Sequence, residues 1–285
     1  MAVILKGKEV AQAKKPGIME RVRTLKTMDI CPALNIVMVG DREDAHAYTK
    51  GASKALSACG IGCHAANFPE DIKQDKLLKR ISAMNNDPLV HGILVMRPIP
   101  RSIEWNAVER VISPDKDVDC ITTHNLSRIF KGEQGGFNPC TAQAVIEVLA
   151  HYGVSVEGKK VAVIGRSLVV GKPVAMLLLQ KNATVTICHS KTTRLDRITS
   201  AADIIVAAAG MPGLIGAEHV KKGSIVLDVG INMVGGKLVG DVDYDRAAQY
   251  AAMITPVPGG IGSVTTSVLM ENILTAAERL AGKPG

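Results

Sequence analysis

The feature that most constrains the fold is the stretch from Lys160 to Leu179, KVAVIGRSLVVGKPVAMLLL. Apolar residues run up to Gly165, as in a buried strand. A loop bounded by Gly165 and Gly171 follows, and Pro173 then stands near the first helical position, where its missing N–H costs nothing. Strand, glycine loop and helix are the parts of a dinucleotide pyrophosphate site, in which free N–H groups of the helix N-terminus face the phosphates.

The spacing of this stretch departs from the common G-x-G-x-x-G fingerprint. Ser167 takes the place of the middle glycine, and Gly171 comes six residues after Gly165. A plain strand-to-helix turn of an α/β protein has the same general pattern, so the stretch alone leaves both interpretations open.

Strands and helices alternate along the rest of the chain, which indicates an α/β fold with a mostly parallel sheet. The predicted strands are 34–39, 61–68, 90–96, the four apolar residues 161–164 before Gly165, 184–188, 204–207, 225–229 and one near 253–254. The predicted helices are 8–28 (kinked or split at Pro16-Gly17), 44–59, 73–84, 103–112, 141–151 and 265–280. The glycine-rich segment 131–141 marks a domain boundary, and the last helix fits either domain.

Length and composition favour an ordinary globular protein. The 285 residues suffice for two domains, and 47% hydrophobic and 21% charged residues are typical of soluble chains. No apolar run approaches the ~20 residues of a membrane span. The opening MAVILKGK is too short an apolar run for a secretory signal, so we expect a cytoplasmic protein.

The net charge and the spacing of cysteines and histidines limit the kinds of ligand that the chain is expected to bind. The net charge of +7 favours small anionic ligands, while nucleic acid is disfavoured because aromatic residues make up only 3% and no Lys/Arg block is dense. The six cysteines form no Cys-x-x-Cys pair and the seven histidines no His-x-x-x-His pair. We therefore expect neither a disulfide framework nor a metal site, and no membrane partner.

The end of the second strand of the nucleotide unit bears on the choice of cofactor. An acidic residue there would bind the 2′-hydroxyl of NAD, but the sequence is Cys188-His189-Ser190-Lys191-Thr192. Hydroxyl donors and a lysine suit the 2′-phosphate of NADP instead, with Arg166, Arg194 and Arg197 as further candidate cations. We predict NADP, with NAD as the alternative.

Several motifs in a fixed order resemble a known family. The loop 165–173 and the segment Pro256-Val257-Pro258-Gly259-Gly260-Ile261-Gly262-Ser263-Val264-Thr265 resemble the two signatures of the methylenetetrahydrofolate dehydrogenase/cyclohydrolase family. The segments 116–119 (KDVD), 139–141 (PCT), 228–232 (DVGIN) and 239–242 (VGDV) match further motifs of that family. The resemblance spans nearly the whole chain.

The resemblance implies a homodimer of two-domain subunits acting in one-carbon metabolism. Residues 1–140 with the C-terminal helix 266–285 would form an α/β catalytic domain that binds folate. Residues 141–265 would form a Rossmann-like, doubly wound NAD(P)-binding domain, with the folate in the cleft between the two. The family transfers a hydride from 5,10-methylenetetrahydrofolate to NAD(P) and hydrolyses the 5,10-methenyl product to 10-formyltetrahydrofolate.

The same resemblance assigns site residues. Tyr48 at the folate ring and Asp119 at the pterin would be catalytic. The substrate-binding set comprises Tyr48, Met96, Asp119, Pro258, Gly259 and Gly262. The cofactor-binding set comprises Gly165, Arg166, Ser167, Gly171, Ser190, Lys191 and Ile231. No residue is assigned to a metal.

Two departures from the family pattern concern hydrolysis. The family carries a lysine four residues after the tyrosine, where this chain has Ala52, and a glutamine where it has Met96. Lys50 and Lys54 each lie two positions from Ala52, about 200° around a helix. Hydrolysis requires an acid/base group whose loss typically costs ~10²–10⁴ in rate, whereas hydride transfer requires mainly positioning. We therefore predict an NADP-dependent dehydrogenase with weak or lost cyclohydrolase activity.

Three alternatives remain open at this stage. The chain keeps both activities, with Lys50, Lys54 or Arg97 replacing the missing lysine; it binds folate or nucleotide without catalysis; or it is an unrelated two-domain dehydrogenase that acts on a small acid.

Overall fold

The computed structural model describes residues 2–282, and it divides the chain into two compact units. The nucleotide unit comprises the residues up to Ala13 together with Pro139–Thr265. The folate unit comprises Lys14–Asn138 and the residues from Thr266 onward. Each unit is named after the ligand that the sequence predicts for it.

The helices and strands follow in chain order. The strands are β1 Val3–Ile4, β2 Ala33–Val39, β3 Gly62–Phe68, β4 Gly92–Val95, β5 Lys160–Ile164, β6 Thr184–Cys188, β7 Ile204–Ala207, β8 Ile225–Asp228, β9 Asn232–Val234, β10 Lys237–Val239 and β11 Met253–Ile254. The helices are α1 Gly7–Lys26, α2 Glu43–Ser57, α3 Gln74–Asn86, α4 Trp105–Val111, α5 Thr123–Lys131, α6 Cys140–His151, α7 Gly171–Leu179, α8 Leu195–Ser200, α9 Tyr244–Ala247 and α10 Gly262–Leu280. Short 3₁₀ helices cover Pro114–Lys116 and Ala217–His219.

The nucleotide unit is built on a six-stranded sheet in the order β1-β11-β8-β7-β5-β6. Every neighbouring pair of strands in this sheet is parallel. Its core includes Ala162, Ile164, Ile205 and Val226, all at most 2% exposed. Because parallel strands share one carboxyl edge, the loops after β5, β6, β7 and β8 lie along the same edge, where ligands of open α/β sheets bind.

The folate unit has a smaller parallel sheet in the order β3-β2-β4. Val37 and Ile93 from this sheet pack with Leu77, Ile81 and Val108 of the surrounding helices. The buried face of α2 consists of Ala45, Thr49, Ala52 and Leu56, at helical spacing.

The described helices include none that is long and apolar enough to span a membrane. This finding covers residues 2–282 only.

The structure corrects two expectations about the first residues. Helix α1 runs unbroken through Pro16. Pro16 and Gln12 both lie on the exposed side, so the carbonyl that loses its helical partner faces solvent. The domain boundaries predicted above placed residues 1–13 in the N-terminal domain, but Val3 pairs with Met253 at the edge of the six-stranded sheet. A two-residue strand whose partner lies near the other end of the chain leaves no local pattern.

Candidate functional site

The loop between β5 and α7 requires its two glycines. Gly165 has φ +132°, and a β-carbon there would lie 2.1 Å from the carbonyl oxygen of Ala208. A β-carbon on Gly171 would lie 2.2 Å from the carbonyl oxygen of Gly165. Strand, loop and helix are therefore packed backbone to backbone, as close approach to a pyrophosphate requires.

Ser167 replaces a glycine of the common fingerprint and has a structural task. Its Oγ accepts hydrogen bonds from the N–H groups of Val170 (3.1 Å) and Gly171 (3.4 Å), which holds the loop against the start of α7. Within the described chain, the backbone N–H groups of Arg166, Ser167 and Leu168 have no hydrogen-bond acceptor. These exposed donors at a helix N-terminus fit a bound pyrophosphate.

The turn after β6 presents Ser190 and Lys191 to solvent without a neighbouring carboxylate in the turn. Three hydrogen bonds close the turn, from the Thr192 N–H to the His189 carbonyl (2.8 Å), from the His189 N–H to the Thr192 hydroxyl (2.8 Å) and from the Lys191 N–H to His189 Nδ1 (3.2 Å). Arg194, a further predicted cation, is paired with Asp196.

A cavity of about 200 Å³ lies in the nucleotide unit beside the carboxyl end of β8. Four residues of the predicted sets line it, namely Ile231, Pro258, Gly259 and Gly262. Ile231 is 67% exposed, and its Cδ1 would lie 3.8 Å from a β-carbon on Gly262. The structure thus brings Ile231 beside the other three residues, which come from a separate motif.

Two buried aspartates near this cavity were not assigned a role from the sequence. Asp228 is 3% exposed, and its carboxylate accepts hydrogen bonds from the N–H groups of Gly230, Asp241 and Val242, at 2.9 to 3.0 Å. Asp241 is fully buried. In the sequence, each aspartate lies within two residues of a glycine, in Asp228-Val229-Gly230 and in Gly240-Asp241. Both glycines are needed, because a β-carbon on Gly230 would collide with the Asp241 carboxylate and one on Gly240 with the Asp228 carboxylate.

Burial raises the pKa of Asp228 to about 6, against the lowering effect of its backbone hydrogen bonds, with a further rise from Asp241. Because the folded-state pKa lies above the ordinary value, the stabilisation from protonated Asp228 is complete below about pH 4 and is lost as the pH rises through about 6. In the variant Asp228→Asn, the asparagine cannot ionise, and its amide NH₂ takes the place of one acceptor oxygen at every pH. The unfolding free energy of the variant therefore carries no pH dependence from this position. Between pH 4 and pH 7 the natural protein should lose about 3 kcal/mol of unfolding free energy relative to the variant. Urea denaturation across this range measures the difference, and a difference independent of pH would contradict the assignment.

The helix α2 of the folate unit presents Tyr48 and buries Ala52. Tyr48 is 40% exposed, whereas Ala52 is 4% exposed. Lys50 and Lys54 lie on the exposed surface of the same helix. Neither lysine therefore shares the direction of position 52.

Of the two residues that follow β4, Met96 is half-buried and Arg97 is exposed. The Met96 N–H donates to the carbonyl of Val37 (2.9 Å), so Met96 continues the strand and is half-buried. Arg97 is exposed and its guanidinium carbon lies 4.7 Å from the ring centroid of Trp105. This cation–π contact holds the positive charge of Arg97 on the surface of α4.

The loop that carries Asp119 is held by buried polar side chains. The Asp117 carboxylate accepts from the N–H groups of Ile121 (2.8 Å) and Thr122 (2.9 Å), and from the Asn125 amide (2.9 Å). Burial raises the pKa of Asp117 above its usual range. Asp119 is half-buried in this loop.

Two further side chains and one strained residue complete this loop. Lys116 donates to the carbonyls of Met84 (3.1 Å) and Asp87 (2.7 Å), and Asn272 of α10 donates to the carbonyl of Val118 (2.8 Å). Cys120 has φ +56°, a conformation that favours glycine, and burial raises the pKa of its thiol. Asp119 therefore stands on a fixed loop.

Comparison with known proteins identifies the family of the chain. The family described as "Tetrahydrofolate dehydrogenase/cyclohydrolase, NAD(P)-binding domain" matches residues 139–281, and the one described as "catalytic domain" of the same enzymes matches residues 5–119. The "Bifunctional protein FolD" of Alkaliphilus oremlandii is 46% identical over 97% of both chains. That of Dictyoglomus thermophilum is 48% identical over 98% of both.

Solved structures give the same result. The bifunctional FolD of Campylobacter jejuni superimposes with a TM-score of 0.96 at 39% identity, covering 98% of this chain and 99% of that one. The Trypanosoma brucei FolD, complexed with NADP cofactor and inhibitor, gives a TM-score of 0.93 at 39% identity over 98% of each chain. The chain therefore belongs to the tetrahydrofolate dehydrogenase/cyclohydrolase family of enzymes, with the catalytic and the NAD(P)-binding domain of that family.

Proposed function

We propose that this enzyme oxidises 5,10-methylenetetrahydrofolate to 5,10-methenyltetrahydrofolate with NADP as the hydride acceptor. The observation that carries the cofactor choice is the pair of neighbouring loops at the sheet edge. One loop offers the free N–H groups of Arg166, Ser167 and Leu168. The other offers Ser190 and Lys191 in a turn that contains no acidic residue. The NADP bound to the Trypanosoma brucei relative supports the same choice.

The residues contribute mainly by positioning. Hydride transfer moves two electrons and one hydrogen from the folate methylene carbon to nicotinamide C4, and it needs no protein base because the product is a delocalised cation. We assign the pyrophosphate to the loop at Gly165–Gly171 and the 2′-phosphate to Ser190 and Lys191. Tyr48 would contact the folate ring, and the Asp119 carboxylate would bind the pterin and favour the developing positive charge.

The partners follow from this assignment. They are tetrahydrofolate derivatives and, by resemblance to the family, a second copy of this chain, in the cytoplasm. Apart from the first thirteen residues, which belong with the six-stranded sheet, the predicted domain limits stay proposals of the same kind.

The second reaction of the family needs a separate argument. The names of the four relatives described above, each given as bifunctional or as a dehydrogenase-cyclohydrolase, support full cyclohydrolase activity better than they support its loss. The residues of this chain argue for slow hydrolysis. Ala52 provides no acid/base group, Lys50 and Lys54 are exposed, and Arg97 is stacked on Trp105. We propose that hydrolysis is the slower of the two reactions and that position 52 limits it.

Ser190→Asp is expected to shift the cofactor preference from NADP toward NAD. The new carboxylate would repel the 2′-phosphate and accept a hydrogen bond from the 2′-hydroxyl of NAD. We expect the ratio of kcat/KM for NADP to that for NAD to fall by about tenfold or more. Thr184→Asp, at the opposite end of β6, adds the same charge away from the site and should leave the ratio unchanged. An unchanged ratio in Ser190→Asp would argue against the assigned phosphate site.

The proposed reaction is tested by mixing the enzyme with 5,10-methylenetetrahydrofolate and either NADP or NAD, and recording the reduced cofactor. Formation of NADPH at a rate above that of NADH is the expected result. Binding of folate or NADP without any reduction would instead support a non-catalytic binding protein.

A further inference from the structure

The strand order indicates which loops lie under each half of a dinucleotide. In an open parallel sheet the dinucleotide crosses the carboxyl ends of the strands. With the 2′-phosphate at β6 and the pyrophosphate between β5 and α7, the order β6-β5-β7-β8 leaves the ends of β7 and β8 for the nicotinamide half. The loops that follow these strands are 208–211 and 229–231.

A single buried carboxylate ties the first of these loops to Asn232, the residue that directly follows the second. Asp241 Oδ2 accepts hydrogen bonds from the N–H groups of Ala209 (2.6 Å) and Gly210 (2.9 Å). Its Oδ1 accepts from the Met211 N–H (2.9 Å) and from the side-chain amide of Asn232 (2.9 Å). Three successive N–H groups of one loop and one amide from the start of β9 thus share one acceptor group.

The surroundings fix this carboxylate from behind. The Asp241 N–H donates to Asp228 Oδ1 (3.0 Å), and a β-carbon on Gly230 would lie 2.3 Å from Asp241 Oδ1. Asp241 itself is 0% exposed, whereas Ala209, Gly210 and Ile231 above it face solvent. The carboxylate therefore has no access to a ligand and acts through the backbone that it holds.

We propose that Asp241 is a positioning residue for hydride transfer, which holds the loop 208–211 and the residues around Asn232 as one surface for the nicotinamide half of NADP. This inference rests on the proposed function. It concerns the nicotinamide half only, because Ser190, Lys191 and the loop at Gly165–Gly171 make no hydrogen bond to Asp241 within the described chain.

The test compares Asp241→Asn with Asp243→Asn. An asparagine at 241 has one acceptor oxygen, and its NH₂ group takes the place of the other. The hydrogen bonds accepted by either Oδ1 or Oδ2 in the natural protein are therefore lost. Asp243 is the N-cap of α9, where asparagine caps as well as aspartate, which makes it a matched control two residues away. Calorimetry measures the binding of 2′,5′-ADP, which lacks the nicotinamide half, and of NADP, and kcat is measured alongside.

We expect Asp241→Asn to bind 2′,5′-ADP like the natural protein but to lose the added affinity of NADP, with kcat lower by about 10- to 100-fold. Asp243→Asn should match the natural protein in all three. If Asp241→Asn does not fold, Asn232→Ala removes one donor only and should lower kcat by about fivefold with 2′,5′-ADP binding unchanged.

Two results would overturn the inference. One is an unchanged kcat in the folded variants, and the other is a parallel loss of 2′,5′-ADP and NADP affinity, which would mean that Asp241 supports the whole unit. A natural protein that binds neither ligand would instead contradict the proposed function, so the two failures are distinguishable.

Discussion

Ala52→Lys combined with Met96→Gln is expected to raise the rate of 5,10-methenyltetrahydrofolate hydrolysis by about 10²-fold or more, because it restores a group able to move a proton. Position 52 lies four residues after Tyr48 on α2, and the resemblance to the family implies a lysine at this position in other members. By the same resemblance, glutamine at 96, directly after β4, would orient this lysine. The loss of methenyl absorbance, corrected for spontaneous hydrolysis, measures the gain.

The control for this experiment is Lys50→Ala with Lys54→Ala in the natural background. Both lysines are exposed, so their removal should leave hydrolysis and NADPH formation unchanged. A loss of hydrolysis in this control would mean that one of them replaces the missing lysine. No gain in the Ala52→Lys, Met96→Gln variant would show that position 52 does not limit the reaction.

Gly165→Ala is expected to abolish NADP binding and to lower the unfolding free energy by about 3 kcal/mol or more. Its methyl group would lie 2.1 Å from the carbonyl oxygen of Ala208, and the φ of +132° is unfavourable for any L-residue with a side chain. Relief of this overlap requires the pyrophosphate loop to move away from β7. Urea denaturation and NADP calorimetry measure the two effects.

Gly17→Ala is the matched control for this substitution. A β-carbon on Gly17 meets nothing within 4 Å, and the residue lies inside α1. The unfolding free energy should rise by about 0.5–1 kcal/mol, as for alanine replacing glycine in a helix. A Gly165→Ala protein as stable as the natural one, with NADP binding intact, would contradict the packing described for the loop.

The sequence was informative where apolar runs are long and continuous. The predicted strands 184–188 and 204–207 are confirmed at both ends, and the strands predicted before Gly165 and near 253–254 are confirmed as β5 and β11. β5 and β7 are mostly buried and read as uninterrupted apolar segments, as is typical of parallel sheets, whereas β6 alternates threonine with apolar residues. Helix α5 was missed. It is short, and its start depends on the hydroxyl of Thr122, which accepts from the Asn125 N–H.

The strands β9 and β10, which form a hairpin, are also absent from the strands predicted from the sequence. Val234 pairs with Lys237 around Gly235-Gly236, and both glycines have positive φ, as a two-residue hairpin turn requires. The flanking residues Met233 and Val234 are exposed, so apolar patterning did not mark the strands. The Gly-Gly pair was the available signal.

The candidate site was predictable to the extent that its chemistry lies within continuous motifs. Gly165, Ser167 and Gly171 needed only strand and helix patterns, while Tyr48 and Asp119 were assigned solely through the family resemblance. Asp228 and Asp241 were not assigned a role because their function depends on hydrogen bonds between loops that are distant in sequence. The roles of all these residues stay predictions.

The most direct test mixes the purified enzyme with 5,10-methylenetetrahydrofolate and NADP and records NADPH and the methenyl chromophore together, corrected for spontaneous hydrolysis. With dehydrogenase intact and hydrolysis limited at Ala52, the two should rise in equal amounts over the first turnovers. If NADPH rises while the methenyl signal stays well behind, hydrolysis keeps pace with oxidation, and a group other than a residue-52 lysine performs it.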